Sequence, residues 1–433
     1  MTRIPALRRG VSGVLMANVG ARVAALVSLA MATLVIARAG GPEAVGAYAL
    51  LRVLPGLAGV VVASGLPGAV TYFLAGPHRD DRRLPLTILA IAFAGGTIGT
   101  ALWATGSPLL RDLFFRDLSV ALVILAGLTV LAQLLVATAK SCSQGTGDLR
   151  GANLVIVNEE LLFLPAYAGL LLAGIDGYTA IVAGLLLADV AAFVPGWARL
   201  YRRGFFRGAA RPSLQLGRQV VSYGLRAQIG GVIMLMNLRL DFILIQLMAG
   251  PAVLGVYAIA SKFAELLKVL SLALNYVLYP QFARDGIDKA AARARRLLTK
   301  SVLVTSVASL PLLLGAGLLI PFAYGSEFAP AVGPAQILLV GLAVDGAAGV
   351  LTGYLYGVGR PGLNSWAMAA GLAVTVVLDL LLIPAHGAYG AAVASSVAYL
   401  TSTLTLVYFF WRVNRTAVAT PPWKASTVTG AEA

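Results

Sequence analysis

Charge is what this chain is short of. Only 12% of its residues are Asp, Glu, Lys or Arg, about half the share usual in soluble domains. One cysteine, Cys142, excludes a disulfide framework. The two histidines, His78 and His386, lie far apart in sequence and offer no histidine-based metal centre and no Ser/His/Asp arrangement. The phosphate-loop pattern GxxxxGK[ST] is absent, which removes ATP hydrolysis by that route. No Asp-x-Asp pair of the kind many glycosyltransferases use occurs either. The short Gly-x-Gly pieces neither follow a strand nor continue in dinucleotide-binding spacing, so they read as tight turns. No enzyme and no cofactor are expected.

What is abundant is apolar surface. Hydrophobic residues make up 59% of the chain and its mean hydropathy is +0.86. Apolar windows near the roughly 20 residues that cross a bilayer recur along its length. They predict an all-α polytopic membrane protein with twelve spans, at 11–37, 43–75, 85–105, 118–140, 152–173, 178–198, 219–247, 253–282, 297–323, 331–356, 363–383 and 388–411. Arg3, Arg8 and Arg9 ahead of an apolar run, with Ala37-Arg38-Ala39 after it, imitate a signal peptide. That run is too long for a signal h-region and carries Arg22, so it is read as a retained first helix.

The net charge of +15 has a positional explanation. On the N-terminal side of these spans the flanking segments hold 24 lysines and arginines, six of them in 199–218 and six in 284–300. The opposite side holds Arg38, Arg111 and Arg116. The bias predicts that both termini are cytoplasmic. It makes the basic balance a topology signal and argues against a nucleic-acid partner. The expected location is the cytoplasmic (inner) cell membrane.

Three stretches recur half a chain apart. GPEAVGAYA at 41–49 matches GPAVLGVYA at 250–258. QGTGDLRGAN at 144–153 resembles YGVGRPGLN at 356–364, and YTAIVA at 178–183 resembles YGAAVA at 389–394. Each pair is six spans apart, so the copies keep the same orientation in the membrane. The pattern predicts two pseudo-symmetric six-helix bundles, 1–217 with a basic cytoplasmic linker and 218–433 with a short tail, around a central cavity. Parallel repeats of this kind belong to alternating-access transporters.

Ionisable residues inside the spans are the candidate machinery. A charge at mid-membrane costs roughly 2.5–3.5 kcal/mol even on the lenient insertion scale. Most must therefore face a wet interior or a partner. Arg22, Arg52, Arg226, Lys262 and Lys268 bring several cations to that depth, and a cationic cavity suits an anionic cargo such as a phosphate or pyrophosphate. Helical spacing adds a polar stripe of Glu265, Asn275 and Tyr279 around the lysines of the eighth span, and Asn18 on the face of Arg22. Internal ion pairs are the other reading: Lys262 or Lys268 with Glu265, and Arg239 with Asp241 or a neighbouring helix. Asp345 and Asp189 are the candidates for a coupling proton or sodium ion, and both could instead pair with arginines.

The turn GPEAVGAYA, the loop QGTGDLRGAN and above all the segment 224–267, GLRAQIGGVIMLMNLRLDFILIQLMAGPAVLGVYAIASKFAELL, carry a resemblance. They resemble the Wzx-like (O-antigen) polysaccharide flippases of the multidrug/oligosaccharidyl-lipid/polysaccharide exporter superfamily. The resemblance implies a V-shaped cationic cavity and a cargo of undecaprenyl-pyrophosphate-linked oligosaccharide, moved to the outer leaflet. It also implies work beside the polymerase and glycosyltransferases of the same pathway. Related lipid II flippases carry functional cations in spans one, two and eight, matching Arg22, Arg52 and Lys262 by location; those relatives have fourteen spans where twelve are counted here. Three rivals stay open: a multidrug exporter of the same superfamily, a non-transporting scaffold of an assembly complex, and an unrelated secondary transporter for small anions.

Overall fold

Hydrocarbon offers no partner to backbone N–H and C=O groups, so a chain this apolar must satisfy them internally. It does so by forming helices. A computed structural model of the protein describes the backbone of residues 6–419 apart from positions 64, 77 and 286, and most side chains between residues 24 and 415. Among the described residues there is no strand. The helices are α1 (Ala6–Ala63), α2 (Leu66–Ala75), α3 (Leu84–Phe114), α4 (Val120–Gly145), α5 (Leu149–Leu161), α6 (Phe163–Leu172), α7 (Gly177–Arg202) and α8 (Leu214–Ala249). They continue as α9 (Pro251–Glu265), α10 (Lys268–Arg284), α11 (Ile287–Tyr324), a 3-10 turn at Ser326–Ala331, α12 (Val332–Leu342), α13 (Asp345–Gly357) and α14 (Pro361–Ala419).

Every expected span has a counterpart here. The first two spans meet inside α1 at Gly41, and the last two meet inside α14 at Gly387, both at positive φ. The fifth, eighth and tenth are each two consecutive helices, α5–α6, α9–α10 and α12–α13. Among the described residues, six helices are long and apolar enough to cross a membrane unaided, and α12–α13 bends by 43° as a broken span. Side-chain caps close several helix starts. Ser119, Asp148, Asp176 and Ser213 accept from the backbone N–H three residues on, at 3.2, 3.1, 3.0 and 3.3 Å.

The chain forms two compact units, Met1–Ile259 with Leu318–Ala331, and Ala260–Gly317 with Val332–Ala433. This division and the repeat boundary expected at 217/218 cut the chain differently. In the first unit α3 packs on α4, and α7 packs on α4 and α5. Small residues set these seams: a Cβ on Gly127 would meet the Trp103 ring at 2.6 Å, and one on Gly196 would meet Val155 at 2.8 Å. In the second unit α10 packs along α13. There Gly346, Gly349, Gly353 and Gly357 line one face, and a Cβ on Gly349 would stand 2.6 Å from the Ser271 carbonyl.

The repeated turn has a three-dimensional counterpart within the first unit. Gly41 and Gly250, the opening residues of the two copies, both take positive φ, 67° and 88°. That region penalises a Cβ, which explains the glycine in each. The copies also dock reciprocally. The Pro251 carbonyl of one sits where a Cβ on Gly46 would be, and the Pro42 carbonyl of the other sits where a Cβ on Gly255 would be. Second and sixth positions of each motif thus exchange the same contact. Nearby, Arg38 donates to the carbonyls of Phe322 and Ala323 at the end of α11, where a cation complements the helix dipole.

Candidate functional site

Helical spacing places Tyr48 and Arg52 on one face of α1, four residues apart. Tyr48 is buried, and its hydroxyl accepts from Arg52 Nη1 at 3.2 Å. The same guanidinium grips Glu160 of α5 with both arms, Nη2 to Oε1 at 2.6 Å and Nη1 to Oε2 at 3.0 Å. Glu160 lies one residue from the end of α5, where the helix dipole disfavours an anion, so the fork offsets a local liability. Ser28 donates to the Glu160 carbonyl at 2.6 Å, and Phe163, first residue of α6, stacks on the Tyr48 ring at 5.0 Å. The break between α5 and α6 is therefore tied to α1 from both sides.

Two more carboxylates complete this group. Asp189 of α7 is buried, within electrostatic range of Arg52, Glu159 and Glu160. Its Oδ2 accepts no hydrogen bond from the described residues. Glu159 lies in range of Lys140 on α4. Three carboxylates thus share two cations in the interior of the first unit. No metal-holding group of His, Cys, Asp and Glu occurs among the described residues.

A second group lies in the second unit. Lys268 opens α10, and its Nζ contacts the Tyr399 hydroxyl at 3.2 Å and stands 4.3 Å from the ring centroid. Glu265, last residue of α9, and Asp345, first residue of α13, lie in charge range of it. The α12–α13 break puts Asp345 at a helix N-terminus. Thr305 of α11 donates to the Ala343 carbonyl freed by that break, at 2.6 Å.

Not every predicted residue joins these groups. Asn18 and Arg22 lie outside the described side chains. Lys262 is half-buried in the last turn of α9. Arg226 is exposed on α8 and donates to the Ser222 carbonyl at 3.1 Å and its hydroxyl at 3.3 Å. Asn275 is half-buried along the α10–α13 seam, where a Cβ on Gly353 would meet its backbone. Tyr279 is exposed, with its ring edge to Tyr356 at 5.9 Å. Asp241 binds the hydroxyl of Tyr257 at 2.6 Å, while Arg239 lies over the Phe242 ring. Sequence reasoning missed Tyr48, Tyr257 and Tyr399 as partners, although the first two are the tyrosines of the repeated turn.

Outside the spans, the loop QGTGDLRGAN carries one strong electrostatic contact. Arg199 holds Asp148 with Nε at 2.6 Å and Nη2 at 3.1 Å, and Arg203 adds a contact at 3.4 Å. The Arg199 hydrogen bonds, helped by the Gly151 N–H, keep the Asp148 carboxyl below the usual range.

Comparison with known proteins places the chain. The family model described as "Polysaccharide biosynthesis protein" matches residues 7–284, more than half of it. No curated protein matches the sequence. Among solved structures, the chain is similar to the lipid II flippase MurJ in an inward closed conformation, with TM-score 0.76 and 14% identity over 94% of this chain and 90% of that one. It is similar to an inward-facing multidrug resistance MATE family transporter of the MOP superfamily, with TM-score 0.70 and 14% identity over 91% and 96%. A MOP superfamily transporter from Pyrococcus furiosus described as having a binding pocket of reverse polarity matches with TM-score 0.60 and 14% identity, over 92% and 96%.

Proposed function

The chain belongs to the polysaccharide biosynthesis protein family, and from that membership we propose that it is a flippase for polyprenyl-pyrophosphate-linked oligosaccharides. It carries them across the cytoplasmic membrane for surface polysaccharide synthesis, by alternating access with a cationic cavity. The two-lobed MOP fold supports transport. What supports the reading is a pair of cations within apolar helices, Arg52 held by Glu160 and the Tyr48 hydroxyl and Lys268 against Tyr399.

In this reading Arg52, Lys262 and Lys268, with Arg22, replace water around the pyrophosphate while the polyprenyl tail stays in lipid; Arg226, exposed on α8, stands apart from them. Arg52 reaches cargo by exchanging Glu160 for a phosphate oxygen. A membrane potential negative inside favours outward movement of an anion by roughly 2.3 kcal/mol per charge per 100 mV. Asp189 and Asp345 are the proposed coupling carboxylates, with Glu265, Asn275, Tyr279 and Asn18 as polar lining. Both termini are proposed to be cytoplasmic, with the pathway's polymerase and glycosyltransferases as neighbours.

The acidic group of Glu159, Glu160 and Asp189 favours a second reading, export of cationic amphiphiles. Leaflet exchange of a fluorescent polyprenyl-pyrophosphate oligosaccharide in proteoliposomes separates the two. Exchange above protein-free vesicles, reduced by Arg52→Ala with Lys262→Ala, supports the flippase. Extrusion of a cationic dye with no oligosaccharide exchange refutes it.

A further inference from the structure

A cleft of about 830 Å³ opens in the first unit, away from the buried groups described above, between the end of α2 and the first half of α8. From α8 it is lined by Gln215, Arg218, Gln219, Ser222, Tyr223 and Arg226. Their spacings of three and four residues (215/219/223 and 218/222/226) put these side chains on one face of the helix. From the other side come Tyr72 and Phe73 of α2, and His78 just beyond it.

The lining divides by chemistry. Tyr72 and Tyr223 stack with ring centroids 4.2 Å apart and planes 13° from parallel. Phe73 abuts Tyr223 edge-on at 5.9 Å and stacks on the His78 ring at 5.0 Å. The tyrosine pair is therefore buttressed from behind, while Tyr72 remains 48% exposed. Arg218 and Arg226 stand on the same helix face, separated by about 12 Å of axis at 1.5 Å per residue. Both are exposed, and neither forms an ion pair among the described residues.

Isolated tyrosines and arginines near a membrane surface need no ligand to explain them. Here they line one concave site within the volume range of small-molecule pockets. Two guanidinium groups without a carboxylate partner suit an anion with several oxygens, and Arg226 leans back along the helix onto Ser222, towards Arg218, so that long side chains can converge on one diphosphate. An exposed, braced tyrosine face suits the C–H face of a sugar ring, with hydroxyl groups and glutamines at its margin for the polar edge.

We propose that this cleft binds a diphosphate-linked sugar headgroup, Arg218 and Arg226 holding the diphosphate and the Tyr72–Tyr223 pair the sugar, as a loading site ahead of the buried cations. The loading role rests on the transport reading above and on the cytoplasmic placement of the basic 199–218 segment. The headgroup chemistry is common to a lipid carrier and to a soluble nucleotide sugar, and the test separates them.

Full-length protein in nanodiscs of zwitterionic lipid is titrated with a fluorescent short-chain prenyl-pyrophosphate disaccharide. The comparators are the bare prenyl pyrophosphate, a nucleoside diphosphate sugar and inorganic pyrophosphate. Arg218→Gln with Arg226→Gln is expected to weaken the disaccharide probe at least tenfold. Tyr72→Leu with Tyr223→Leu is expected to erase the preference for the disaccharide over the bare prenyl pyrophosphate, and the two Tyr→Phe changes to retain it. Arg218, Arg226 and Tyr72 are exposed while Tyr223 is half-buried against the core, and an unchanged melting temperature checks that the variants fold. Equal probe affinity in wild type and the arginine variant overturns the site. Tighter binding of the nucleotide sugar than of the prenyl-linked probe overturns the loading role. Leaflet exchange by the wild type is measured on the same preparation. Exchange at the protein-free level defeats the transport reading, whereas normal exchange with unchanged binding in the variants defeats this site alone.

Discussion

Removing Arg52 tests whether the buried cation is a brace, a cargo contact or both. In Arg52→Ala, Glu160 loses contacts of 2.6 and 3.0 Å and Tyr48 loses its donor at 3.2 Å. Hydrogen bonds to charged groups are each worth roughly 1.5–3 kcal/mol, and breaking a buried ion pair from one side costs about 3–5 kcal/mol. The two side chains keep 25% and 18% exposure, which places the expected loss near the lower end, about 3 kcal/mol. Glu160→Ala strands the arginine and costs a similar amount. The double variant removes both charges together, so its loss should fall short of the sum by roughly 1.5–3 kcal/mol. Reversible unfolding in mixed detergent and SDS micelles measures the three values. Additivity within about 0.5 kcal/mol would refute the pairing. Transport then divides the roles, because a double variant that regains stability without regaining oligosaccharide exchange leaves Arg52 with a cargo function.

Other consequences follow from contacts described above. Gly255→Val drives a side chain into the Pro42 carbonyl and should destabilise the paired turns by about 1–3 kcal/mol. A cysteine introduced at Ala44 should then label faster with a membrane-impermeant maleimide, against a low background because Cys142 is buried; an unchanged rate counts against the reciprocal docking. Gly349→Leu forces α13 away from the Ser271 carbonyl and should lower the melting temperature by several degrees, whereas Gly362→Leu, in open space, should not. Asp148 has a depressed folded pKa, so its stabilisation is complete above the unfolded carboxylate value near 3.9 and fades as pH falls through the lower folded value. Hydrogen-exchange protection at 145–152, taken relative to the intrinsic rate at each pH, should fall only at that acidic end, and Asp148→Asn should be weakly protected at every pH; a wild-type loop that loosens near neutrality would contradict the Arg199 contact.

The helices and the duplication were legible because their signals are local. A bilayer demands apolar runs of a given length, and the paired Gly41 and Gly250 mark positions where the chain takes positive φ. Breaks such as the one before Asp345 were not legible. Their carbonyls are satisfied by another helix, as Thr305 does for Ala343, and no nearby residue announces it. A helical wheel shows which side chains share a face but not what that face meets. It grouped Asn275 with the lysines, yet the span breaks between Glu265 and Lys268 and the backbone at Asn275 lies against the glycines of α13. Arg52 and Glu160 are 108 residues apart, so their meeting depends on how α1 and α5 are set against each other. The pairing weighed for Arg239, with Asp241 or a neighbouring helix, rested on closeness in sequence, which gave no hint that the buried Tyr257 hydroxyl donates to Asp241.

Leaflet exchange in proteoliposomes bears most directly on the transport claim. A fluorescent polyprenyl-pyrophosphate oligosaccharide is placed in both leaflets, and its accessibility to an external quencher is followed with an inside-negative potential imposed. The account predicts net movement of the headgroup out of the negative interior, above the protein-free rate, slowed by Arg52→Ala with Lys262→Ala. Exchange indistinguishable from protein-free vesicles, in a preparation shown to be folded, would contradict it.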